Sequence, residues 1–213
     1  MQLTRKGIVT AAMELIERDG VEAVSMRRLA TELGCGVMSL YNHVPSRSAL
    51  LDGVADAVVS GIEITSVPAA DWQEQVRAQA RAFRQIARAN PRCTMVLVSR
   101  PPSSASMVRP VENALATLRE AGFGGQDAVR IVRAFVAYIM GSLLREVGVV
   151  AGLPDGDSEA AEPRRPHLRP AEFPQLTELS AELGTQDPDG DFEFGLGLLV
   201  HAMSALHPAH SAR

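Results

Sequence analysis

Lysine is almost absent from this chain of 213 residues: Lys6 is the only one, and 20 of its 21 basic residues are arginine. Arginine favours bidentate contact with guanine and phosphate, but a bias this complete reads as genome composition rather than selection for binding. Cysteine is scarce too. Cys35 and Cys93 stand far apart, which excludes a disulfide framework and any metal-binding spacing. The longest uncharged apolar runs, Ala134–Leu144 and Gly195–Leu206, fall short of the ~20 residues that a membrane-spanning helix needs. The first residues, Met1-Gln2-Leu3-Thr4-Arg5-Lys6, run straight into an amphipathic segment without the pattern of a signal peptide. A cytoplasmic protein with no membrane partner is expected. No Ser-His-Asp arrangement, phosphate loop or metal motif is present. His201 lies on an apolar helix, where a histidine of the core or an interface is commoner than a catalytic base. Neither an enzyme nor a cofactor is expected.

The net charge of −4 argues against indiscriminate polyanion binding. Residues 1–47 nevertheless carry six basic side chains against five acidic ones, so the acidic excess lies in the rest of the chain.

What is present is a short stretch with strong grammar. Ser25 is a good N-cap. Leu29, Ala30 and Leu33 share one helical face, and Gly34 stands where a helix ends on a left-handed residue. Gly36 loosens the turn, and Val37 to His43 gives a second short helix. Its residues Ser39, Tyr41, Asn42 and His43 are rich in hydrogen-bonding groups. This is the pattern of a helix-turn-helix, whose second helix enters a DNA major groove. A helix capped by Thr4 and stopped at Asp19-Gly20 precedes it, and Ser46 caps another that carries Leu50, Leu51, Val54 and Val58.

The rest also reads as helix. Asp71, with Glu74 three residues on, predicts a capping box; Trp72, Val76, Gln79, Phe83 and Ala87 line one face until Asn90-Pro91. Thr94–Val98 is an apolar run whose type the sequence leaves open, a helical turn being favoured. Met107–Ala121 aligns Val108, Val111, Leu115 and Leu118. Gln126–Val150 and Asp191–Leu206 are apolar almost all round, more than one chain of this size can cover, and predict a four-helix interface between two subunits. Ala151–Pro174, rich in Pro, Gly and charge, reads as a mobile loop. The fold class is therefore all-α: a helix-turn-helix head (1–46), a connecting helix (47–67) and a larger helical domain (68–213).

At this point the chain resembles the TetR family of bacterial regulators, and its tetracycline repressor branch in particular. The N-terminal signature covers Ala11 to Gly20, Ser25–Leu33, Gly34, Ser39-Leu40-Tyr41, His43-Val44 and Arg47-Ser48-Ala49-Leu50-Leu51-Asp52. Asp71-Trp72-Gln73, Arg77, Ala80, Ser99-Arg100-Pro101, Glu112-Asn113, Gly122-Phe123, Gly141 and Phe194-Gly195-Leu196 continue it. The resemblance implies a homodimer that represses transcription from a double-stranded DNA operator and leaves it on binding a small-molecule effector. It maps the DNA contacts onto Arg27, Val37, Met38, Ser39, Tyr41, Asn42, His43 and Arg47, with Ser25 near phosphate. Arg27 is expected to read guanine; Tyr41, His43 and Arg47 suit phosphate. Val37 and Met38 depart from the family's tetracycline repressor, which has a polar amide at the first; apolar groups read thymine methyls, so a different operator is expected.

The effector site departs further. Cys93-Thr94-Met95-Val96-Leu97-Val98 lacks the metal-binding histidine of the tetracycline repressors, and Arg145 stands where the carboxylate is expected. A hard cation needs several oxygen ligands. A metal-free, largely hydrophobic effector is expected, against Phe83, Val111, Leu115, Phe135 and Ile139, with Glu63, Gln79 and Arg145 as anchors. A small-molecule-binding module with a vestigial DNA head is the alternative.

Overall fold

A computed structural model describes residues 3–62, 71–146 and 172–207. Four helices form the head: Arg5–Asp19 (α1), Met26–Glu32 (α2), Val37–Tyr41 (α3) and Arg47–Ser60 (α4). Trp72–Ala89 (α5), Pro91–Val98 (α6), Ala105–Glu120 (α7), Gly125–Glu146 (α8), Pro174–Glu178 (α9), Ser180–Gly184 (α10) and Pro188–Leu206 (α11) follow. No strand occurs among the described residues.

Side-chain caps set the helix starts. Thr4, Ser25 and Ser46 each accept the backbone N–H three residues on, which satisfies one free donor of a first turn. Gly34, at φ +61°, makes the left-handed turn between α2 and α3. Asp71 caps α5 by accepting from the Gln73 N–H, but the expected capping box is not made by Glu74, whose carboxylate turns to Arg81 and Arg77. The run left open at Thr94–Val98 belongs to α6, which Pro91 begins because a first-turn residue needs no N–H. The connecting helix ends at Ser60, and residues 63–67 of the predicted span lie outside the described residues. Most of the predicted loop, 151–171, and residues 147–150 of the predicted long helix also lie outside them; Pro174, placed in that loop, instead opens α9.

Two apolar cores result. One gathers Ile8, Leu15, Leu29, Leu40 and Val54 of the head together with Cys93 and Val96 of α6. The other gathers Val76, Leu118, Phe123, Phe135, Phe192 and Leu196 from α5, α7, α8 and α11 and the turn before α8. Gly195 lets α8 and α11 approach: a Cβ there would lie 2.5 Å from the Tyr138 hydroxyl, which donates to the Phe192 carbonyl. Trp72, Phe123 and His207 close one end, with Trp72 edge-on to Phe123 at 5.2 Å. Arg81 ties α5 to Glu193 of α11 by two 2.8 Å hydrogen bonds, which hold that carboxyl below the usual carboxylate range.

Candidate DNA-binding surface and candidate effector cavity

On α3 and the turn after it, Met38, Ser39, Tyr41, Asn42 and His43 are exposed. Met38, at 74% exposure, is the most open of the large apolar side chains described. Its neighbour Val37 packs partly against the head core instead, because Leu40, on the same side of the short helix, is fully buried. Arg27, on the first turn of α2, is exposed, and its guanidinium makes no hydrogen bond among the described residues. Arg28 is committed to Asp19, and Arg18 to Glu32 at 2.6 Å.

Arg47, expected at a phosphate, is exposed, and two of its guanidinium nitrogens are held by the head itself. Nε donates to the Val24 carbonyl and Nη2 to the Val21 carbonyl, both at 2.8 Å. These oxygens lie in the short 3₁₀ turn Val21–Ala23 and just after it, where the helical ladder leaves carbonyls open. Arg47 therefore braces the chain that leads into the Ser25 cap. Arg47→Ala is expected to lower operator affinity about tenfold by loosening the head, with the slope of log K against log salt unchanged. Anisotropy titrations across a salt series check this; a slope smaller by about one would return the residue to phosphate contact.

A cavity of about 240 Å³ opens between α5, α6, α7 and α8. Phe83, Phe135, Val111, Ile139 and Gln79, five of the residues expected at the effector site, line it. Val59, Leu97, Val98, Met107, Pro110, Ala114 and Met140 line it as well, and sequence reasoning missed them. Two of the expected residues are elsewhere. Leu115 packs into the second core, because the cavity takes the neighbouring stripe Met107, Pro110, Ala114 and Leu118. Arg145 pairs with Asp191 at 3.0 Å on the surface. Its neighbour Glu146 points inward, where Arg84 of α5 donates to it at 2.9 Å. Glu63 lies outside the described residues. Among the described residues Gln79 is the one polar lining residue, and no ionisable side chain of theirs lines the cavity.

The α6 helix joins cavity to head. Leu97 and Val98 line the cavity, while Cys93 and Val96 are buried in the head core. At its N-terminus the Glu17 carboxylate of α1 accepts from the Arg92 and Cys93 N–H groups at 3.2 and 2.8 Å. Arg92 returns the contact, donating to the last carbonyls of α1, Glu17 and Arg18. Just past its C-terminus Arg100 donates to Asp52 and Ser48 of α4 at 2.7 Å, and Ser104 to Asp56 at 2.6 Å. Burial, with the Glu17 carboxylate beside it, pushes the Cys93 thiol well above its ordinary range and keeps it inert.

Comparison with known proteins decides what this arrangement is. Residues 8–54 match the family described as bacterial regulatory proteins, tetR family, and residues 66–206 match the tetracyclin repressor-like C-terminal domain. The chain belongs to the TetR family.

Among the relatives of this TetR-family protein is an HTH-type transcriptional regulator of Saccharopolyspora erythraea, 30% identical over 95% of this chain and 85% of that one. A class A tetracycline repressor from a transposon in Escherichia coli is 31% identical over 92% and 88%. The fold is similar to that of the Streptomyces coelicolor protein ActR in complex with actinorhodin, with 27% identity, a TM-score of 0.81, and coverage of 98% of this chain and 100% of that one. The TetR-family protein described here is a ligand-responsive transcriptional repressor with a helix-turn-helix DNA-binding head. Its curated relatives are regulators and not enzymes. No helix among its described residues is long and apolar enough to cross a membrane.

Proposed function

We propose that this repressor works in the cytoplasm as a homodimer on a palindromic operator, and is released by a small, largely hydrophobic effector that needs no metal ion. The observation that carries the reading is the position of α6, one face of which is cavity wall while both its ends are tied to the head. A ligand that fits the cavity only when Leu97 and Val98 shift must also shift Arg100 and the Glu17 contact. That differential fit is what moves an equilibrium between DNA-bound and free forms.

The lining chemistry supports the metal-free part. Magnesium demands near-octahedral oxygen ligands, and the described wall offers one amide. Exposed apolar side chains support the dimer: Phe194, Leu198 and Leu206 on α11, and Val129 on α8. A two-fold dimer presents two identical α3 helices to DNA, hence a palindrome. Among the exposed head residues, Arg27 is the candidate for guanine, Met38 for a thymine methyl, and Ser25, Ser39, Tyr41, Asn42 and His43 for phosphate and base edges.

The test is operator release, followed by mobility shift, on the DNA flanking the gene. Candidate apolar ligands are titrated in EDTA and in excess Mg²⁺. Equal release in both is expected. Release by tetracycline that depends strictly on Mg²⁺ would overturn the reading.

A further inference from the structure

One side chain of the reading helix carries chemistry that base recognition does not need. Met38 stands about 200° around α3 from the fully buried Leu40, so it points out of the head, at 74% exposure. Gly36, which caps α3, brings no side chain to cover it. Its sulfur takes no hydrogen bond among the described residues. The other described methionines differ. Met26, Met107 and Met203 are buried, and Met13, Met95 and Met140 are half-buried. The Met107 sulfur also accepts the Ser103 N–H at 3.4 Å, which occupies a lone pair. The thiols are less open too: Cys93 is buried and Cys35 half-buried. A leucine or an isoleucine would meet a thymine methyl as well as methionine does. Only the thioether can be oxidised, and exposure decides which thioether is reached first.

Resting on the reading that α3 faces the operator, we infer that Met38 is an oxidation site through which a hydroperoxide takes the repressor off its DNA, independently of the cavity. A sulfur lone pair attacks the terminal peroxide oxygen and the O–O bond breaks. The displaced alkoxide or hydroxide takes the proton from that oxygen and leaves as alcohol or water. Sulfur is oxidised by two electrons and the peroxide is reduced by two. The product is a sulfoxide, with a polar acceptor oxygen where an apolar group stood. Against a thymine methyl that oxygen loses its water and finds no donor. In the complex the groove covers the thioether. Attack therefore falls on the free protein, and the free population grows because its oxidised form no longer returns.

The experiment uses the full-length protein and hydrogen peroxide, quenched with catalase at set times. Mass spectrometry of proteolytic fragments should find the added oxygen on Met38 before any other described methionine. Operator affinity, read by anisotropy, should fall at least ~25-fold, about fivefold at each of two half-sites. Methionine sulfoxide reductases A and B with a dithiol should restore it. Bound operator should protect Met38 from oxidation. Each variant is compared with itself before and after peroxide: Met38→Leu should show no change, and Cys35→Ser the full loss. If Met38 takes up oxygen and affinity holds, if another described methionine is oxidised first, or if Met38→Leu loses affinity as the wild type does, the oxidation site alone is overturned. An untreated protein that binds no sequence in the flanking DNA overturns the reading of α3 itself.

Discussion

Phe194→Asp is expected to yield a monomer that keeps its helical content and loses at least ~100-fold in operator affinity. Phe194 is 71% exposed on α11, and Leu198, also exposed, lies four residues on along the same stripe. Charging this face costs nothing inside the protomer, so the fold is preserved while any partner is rejected. Operator affinity falls because a dimer holds two half-sites through one another, and losing that linkage forfeits ~10²–10⁴ in avidity. Leu199, next to Leu198, is the wrong place for this experiment: it packs on the second core, and a charge there is expected to destabilise the domain. Sedimentation velocity and anisotropy on the same samples check the result. A wild type that is monomeric at micromolar concentration, or a Phe194→Asp dimer with full affinity, sinks the proposed assembly.

Arg84→Ala is expected to destabilise the protein by ~3–5 kcal/mol. The Arg84 guanidinium sits 4.5 Å over the Phe192 ring and bridges Glu146 of α8 to Pro188 and Asp189 at the start of α11. The Glu146 side chain is 8% exposed; without Arg84 its carboxylate keeps only Arg88 at 3.7 Å and the Ser142 hydroxyl at 3.4 Å. A buried charge that loses its partner costs far more than the intact pair contributes. The double variant Arg84→Met with Glu146→Leu should therefore recover most of the loss. Urea denaturation of the single and double variants reads both numbers. Equal stability of the two would show that Arg84 acts by packing alone.

The helix-turn-helix was legible in the sequence because its signals are local. A capping serine, a left-handed glycine and an apolar stripe act within a few residues of one another. The Arg84–Glu146 pair was not legible. Arg77, Arg81, Arg84 and Arg88 recur at helical spacing on α5, and only the three-dimensional meeting of α5, α8 and α11 buries Arg84 among them. Leu115 stands one residue from the cavity-lining Ala114, and Arg145 one residue from the inward-pointing Glu146, which on a helix is about 100° of rotation. The all-round apolarity of α8 had a mixed origin. Phe135 and Ile139 fill the core and the cavity wall, Val136 stands at the exposed rim of the cavity, and Val129 is exposed. Periodicity counts apolar faces and does not say which are filled by side chains, by ligand or by another subunit.

The shared seat of α6 bears on how such regulators can be recombined. Residues 1–62 look like a detachable reading head, yet their core is completed by Cys93 and Val96, which lie well beyond the last of them in the chain. A chimaera that joins this head to a foreign effector domain leaves that seat filled by side chains it was not shaped for. Moving α6 along with the head repairs the seat but carries Leu97 and Val98 into the new cavity. The choice of DNA site and the choice of inducer are thus written partly in the same eight residues, and neither can be exchanged wholesale without editing the other.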